Sequence, residues 1–110
     1  MTSVYITKNK NGDIVELTCE GHAGSGAYGE DVVCAALSSI VQTAVLGLFS
    51  VAEVNLKFTR DEKKGYLYAG LPKDITAIQN EKAQVILKTL LLGISDLYEG
   101  YSDFIELEVK

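Results

Sequence analysis

The sequence predicts an α+β fold, a single two-layer sandwich in ββαββαβ order with one mixed or antiparallel sheet and two helices packed on it. Two kinds of pattern and one bound carry this. Short β-type runs recur along the chain, and two longer segments have helical spacing. At 110 residues and 11.9 kDa, residues 1–110 can build one such core and no second.

Val4 and Ile6 alternate with polar neighbours, and Asn11-Gly12 is a dipeptide that tight hairpin turns favour. The β-rich run Ile14 to Cys19 then gives the second strand. After a glycine-rich loop, Glu30-Asp31 precede a long apolar segment with polar residues at 38/39, 42/43 and 50, a helical spacing. Leu46 interrupts this stripe, whose polar members are small and uncharged, so the face suits a covering neighbour and a homodimer would supply it. Val54, Leu56 and Phe58 alternate as a third strand, Arg60 to Gly65 form a charged turn, and Tyr66 to Ala69 resume β character. From about Gln79 to Glu99, Val85, Ile86, Leu90, Ile94 and Leu97 trace an apolar face, with Glu81, Lys82, Lys88, Asp96 and Glu99 outside it. Ile105, Leu107 and Val109 give the last strand.

Composition narrows the function. Fifteen acidic against ten basic residues leave a net charge of -5, which repels a phosphate backbone and disfavours nucleic acid as a direct partner. Two cysteines, Cys19 and Cys34, do not make a disulfide scaffold, and the N-terminal residues lack the apolar stretch of a secretory signal, so a cytoplasmic location is expected. Val32 to Ala52 carries no charge and could span a bilayer by length, but its acidic flanks and internal Ser, Thr and Gln fit a buried helix, with no membrane partner.

The chemistry concentrates in Gly21 to Ser38, which holds the single histidine, His22, and Cys34 twelve positions later. With Asp31 as N-cap, Cys34 falls in the first helical turn, where unpaired amides and the positive end of the helix dipole favour a thiolate. Those amides, Cys34 and Ala35 among them, could stabilise the oxyanion formed when a thiolate attacks an amide carbonyl. The loop glycines, Gly24, Gly26 and Gly29, with Tyr28 between them, let the chain fold back so that His22 can take the thiol proton and later protonate a leaving amine. Ser38, one turn beyond Cys34, could hydrogen-bond near the site. Each residue also has a plainer role: Cys34 as a small apolar side chain, His22 bonded to a carbonyl, Asp31 only a cap, Ser38 bonded one turn back, the glycines as turn formers. Two other chemistries stay open. Cys19 and His22 could join Cys34 and Asp31 around zinc, or the loop and helix start could hold an anion in a non-catalytic module, without the lysine that retains a nucleotide phosphate.

The string Gly21-His22-Ala23, Tyr28-Gly29, Asp31 to Ala36 and Ser38 resembles the signature of the ribosomal-processing cysteine protease (Prp) family, and Asn80 to Gln84 matches the start of its second helix. The resemblance extends over the whole chain. It implies a cytoplasmic endopeptidase, typically a homodimer, that needs no cofactor and removes the short N-terminal extension of the twenty-seventh large-subunit ribosomal protein. By carry-over Cys34 is the nucleophile and His22 its base. Asp31, Ala35 and Ser38 are supports, and Gly24, Gly26, Tyr28 and Gly29 belong to a substrate loop. A ribosome-assembly factor that grips this client without cutting it is the competing role.

Overall fold

The structure, a computed structural model, describes residues 1–21 and 30–110. Five strands and two helices follow in the expected order: β1 (Thr2–Lys8), β2 (Ile14–Glu20), α1 (Glu30–Ser50), β3 (Lys57–Asp61), β4 (Tyr66–Gly70), α2 (Ala77–Gly100) and β5 (Ile105–Val109). The strands form one mixed sheet in the order β3-β4-β2-β1-β5. β1 and β5 run parallel, and the other neighbours are antiparallel.

Register explains which residues are buried. Val4 faces Cys19, Ile6 faces Leu17, Leu17 faces Ala69 and Cys19 faces Leu67, so these side chains share one face of the sheet. Both helices cover that face. α1 contributes Val33, Leu37, Val41, Ala44, Val45 and Leu48, and α2 contributes Ala83, Leu87, Leu90 and Ile94. The opposite face carries Tyr5, Thr18 and Tyr68, with the Tyr68 hydroxyl donating to Glu16. Segment Val32–Ser50 of α1 is long and apolar enough to cross a membrane, yet the spacing of its buried residues serves this core.

Small residues let the helices approach. A Cβ built at Gly47 would lie 3.5 Å from Ile86, and one at Gly93 would lie 3.5 Å from Ile40, so each glycine receives an isoleucine of the other helix. Gln84 fastens α2 to β2 from within the core. Its carbonyl accepts from the Ile14 amide at 2.8 Å, and its amide donates to the Ile14 carbonyl at 2.8 Å and to Asn80 Oδ1 at 3.1 Å. A buried backbone group left unpaired costs about 1–3 kcal/mol, so a polar side chain at this core position stabilises the fold.

Four details depart from the sequence reading. The β1–β2 connection is not a two-residue Asn-Gly turn. It spans residues 9–13, because Asn9 Oδ1 accepts from the amides of Asn11 and Asp13, while Gly12 takes a φ of 84°. β3 begins at Lys57 and extends to Asp61, later than the alternation of Val54, Leu56 and Phe58 implied. Val54 and Leu56 are buried as a linker crossing the core, where the Val54 amide bonds the Leu48 carbonyl and Glu53 adopts a φ of 55°. α2 starts at Ala77 because Thr76 and Gln79 form a capping box, each side chain accepting from the other's backbone amide. Finally, Val85 lies outside the apolar face at 65% exposure, and Leu87 and Ala83 take the core positions.

Candidate active site

Antiparallel pairing brings the start of β1, the end of β2, the end of β3 and the start of β4 to one margin of the sheet. The N-terminal half of α1 crosses this margin. Between helix and sheet lies a cavity of about 220 Å³. Cys34, Ser38 and Gln42 enter it from α1, Cys19 and Leu67 form its sheet side, and Arg60, Asp61 and Glu62 bound it on the hairpin side.

The strand ends shape its rim. Gly21, which closes β2, lines the cavity with a φ of 87°, and a Cβ there would stand 2.7 Å from the Met1 carbonyl oxygen. Both constraints call for glycine. On the β3–β4 turn, Asp61 Oδ1 accepts from the amides of Lys63 at 3.1 Å and Lys64 at 3.2 Å. Arg60 pairs with Glu62 at 2.8 Å.

The predicted site residues divide into two groups. Cys34 and Ser38 meet at the cavity, and Ala35 is exposed on α1 beside them. His22, Gly24, Gly26, Tyr28 and Gly29 lie outside the described residues, as does the side chain of Asp31. His22 is nevertheless the residue bonded to Gly21. The helix start requires a correction: α1 begins at Glu30, so Asp31 stands inside the first turn instead of capping it, and Cys34 is the fifth helical residue. By i to i−4 bonding the Cys34 and Ala35 amides then belong to the helical ladder, so they are not the unpaired donors expected for an oxyanion. Of the suggested zinc set, Cys19 and Cys34 line one cavity, and His22 and the Asp31 side chain lie outside the described residues.

Sequence reasoning assigned Cys19 to the core and overlooked Gln42, Arg60 and Glu62. Cys19 does pack against the core and also lines the cavity. Its partner in register, Leu67, is the signal that places it on the helix-covered face. The cavity position of Arg60 follows equally from its pairing with Leu67, which requires the correct span of β3.

A thiol that opens into a cavity between a helix and the margin of a mixed sheet can serve a cysteine-dependent enzyme as its nucleophile. The chain belongs to the family whose model is described as cysteine protease Prp, which matches residues 1–106; it is a cysteine protease. It is 30% identical over 112 aligned residues to the ribosomal processing cysteine protease Prp of Staphylococcus aureus (strain Mu50 / ATCC 700699), with 100% of both chains covered. It is also similar to the crystal structure of an essential ribosomal processing protease Prp from S. aureus in complex with a substrate peptide, at a TM-score of 0.89 and 28% identity over 100% of both chains. A second S. aureus Prp structure, with a covalently linked product peptide, matches at a TM-score of 0.85 and 29% identity, again over 100% of both chains.

The two thiols differ in setting. Burial pushes the Cys19 thiol up from an ordinary 9.0 to about 12, since the thiolate would lose its hydration. The folded chain therefore holds this proton where the unfolded chain releases it. The resulting stabilisation is complete below about pH 9 and is lost as pH rises toward about 12. In denaturant titrations under reducing conditions, the parent chain should lose about 1.4 kcal/mol more stability between pH 8 and pH 10 than Cys19→Val does. An equal loss in both proteins would refute the assignment.

Proposed function

We propose that this chain is a ribosomal-processing endopeptidase that removes the short N-terminal extension of the twenty-seventh large-subunit ribosomal protein, with Cys34 as nucleophile and His22 as general base. The observation that carries the reading is the position of Cys34, on the wall of a cavity whose rim includes Gly21, the residue bonded to His22. The S. aureus relative bears a ribosomal-processing name, and its structures hold a substrate peptide and a covalently linked product peptide. Those names support the substrate class.

In the proposed reaction His22 takes the Cys34 proton and the sulfur attacks the scissile carbonyl carbon. The tetrahedral intermediate expels the amine, which leaves with the proton carried by the imidazolium, and a thioester remains. Water, deprotonated by the same imidazole, attacks the thioester, and breaking the C–S bond frees the acid and restores the thiol. No cofactor enters these steps. Ser38, Gln42 and Arg60 supply hydrogen-bond donors to the cavity wall, and Leu37, Val41 and Leu67 supply apolar surface for substrate side chains. We place the enzyme in the cytoplasm, where a reducing environment keeps a nucleophilic thiol free; both cysteines are free here.

We also propose a homodimer, formed through the outer face of the helical layer. Leu46 on α1 and Ile78, Val85 and Leu92 on α2 are exposed by 65%, 68%, 65% and 72%. The α2 members recur every seven residues, two turns apart along one line of the helix, with Glu81, Lys82, Lys88 and Thr89 on the turns between them. On α1, Leu46 lies one turn beyond Gln42 and twelve residues along the helix from Cys34.

Incubation with a synthetic peptide spanning the extension junction, read by mass spectrometry, should give two products cut at one bond. Cys34→Ala and His22→Ala should each slow the cleavage by about a thousandfold or more while keeping the native circular dichroism. Persistent cutting by Cys34→Ala would refute the nucleophile, and binding without cutting by the parent chain would favour the gripping assembly factor. For the dimer, sedimentation velocity should find a two-chain species that Leu92→Glu converts to monomer. A parent chain that sediments as a monomer would remove this proposal.

A further inference from the structure

β3 is an edge strand, bonded to β4 on one side, and Lys57 through Arg60 are all exposed. In an antiparallel pair every second residue turns its N–H and C=O away from its partner, so β3 presents a row of backbone donors and acceptors outward. The charges of Lys57, Arg60 and Asp61 discourage pairing between two such edges. They leave the backbone row open to a shorter partner.

α1 runs beside this edge. At one end Ser38 and Gln42 share the Cys34 cavity with Arg60 and Asp61. At the other, the Phe49 ring meets the Phe58 ring edge-on, with centroids 6.3 Å apart. From Gln42 to Phe49 the helix rises about 10.5 Å, and from Arg60 back to Phe58 the strand covers about 6.8 Å. Helix and strand are therefore neighbours over this length, running in opposite directions. Along this length the free edge of β3 has the Cys34 cavity at one end and the Phe49–Phe58 pair, each residue 39% exposed, at the other. An exposed strand edge is the setting in which extended peptides add to a sheet, with main-chain bonds giving affinity and alternate side chains giving specificity.

We propose that the substrate segment next to the scissile bond binds as a sixth strand on the free edge of β3. Its alternate side chains point toward α1, and the Phe49–Phe58 pair receives an apolar one. The proposal rests on the protease reading above and adds how the substrate is held. It is independent of the choice of base.

The test uses the synthetic junction peptide in two measurements. With saturating peptide on Cys34→Ala protein, hydrogen exchange of the outward-facing β3 amides should slow about tenfold or more, and the β5 edge should be unchanged. With the parent enzyme, N-methylation of single peptide amides should lower kcat/KM about tenfold at alternate positions and leave those between them near the unmodified value. Saturable binding and normal cleavage with unchanged β3 exchange, or N-methyl effects without alternation, would overturn the proposal. If the parent chain does not cut the unmodified peptide, the protease reading itself fails and this proposal fails with it.

Discussion

The rotation of α1 about its own axis is the constraint on which the remaining geometry depends. Val33, Leu37, Val41, Ala44, Val45 and Leu48 must all face the sheet, and no other rotation buries them together. Once they are down, Cys34, Ser38 and Gln42 fall on the flank next to β3 and β4, since they follow one another by four residues. Gly47 and Ile40 fall on the opposite flank, against Ile86 and Gly93 of α2. The thiol is thus aimed by hydrophobic packing that runs from its neighbour Val33 to Leu48.

The sheet meets this helix with a complementary device. Its mixed order gathers the start of β1, the end of β2 and the β3–β4 turn at one margin, so the cavity opens where four strands end. Strand ends tolerate what strand centres do not: Gly21 with positive φ, an Asp61 side chain bonding two turn amides, and an Arg60–Glu62 pair half in water. Chemistry that needs polar groups and access is placed at this margin, and the apolar burial that holds the fold lies farther along the same helix. Cys19 shows the contrast within one cavity, a thiol that burial keeps protonated, on a strand, opposite a thiol carried by the helix.

Much of this was legible beforehand, for physical reasons that differ by element. Periodicity identifies β1, β2, β5 and both helices, because each buries a single face. It misplaces β3, since Val54 and Leu56 are buried by a linker and mimic strand alternation, whereas β3 itself has an exposed pattern and no core signal. It misorients Val85 because several apolar residues of α2 lie outside the core face, and only packing against α1 decides which face is inside. The capping box at Thr76 and Gln79 was readable and fixes the start of α2 better than apolar spacing does. At the site, Cys34 and Ser38 could be named from the motif and Gln42 continues their four-residue spacing, but Arg60 and Glu62 reach the cavity through tertiary pairing, which leaves no local mark. The helix starts two residues earlier than an Asp31 cap implies, enough to move the Cys34 amide from an unpaired first turn into the ladder.

The most direct test of the central claim is covalent: a junction peptide whose scissile carbonyl is a chloromethyl ketone, incubated with the native protein and followed by tandem mass spectrometry. A thiolate displaces chloride from such a reagent and keeps the peptide as a thioether. One peptide per chain, attached to Cys34 with Cys19 unmodified, is the expected result. Attachment to Cys19, or labelling shared between the two thiols, would contradict the view that helix packing singles out Cys34 for attack.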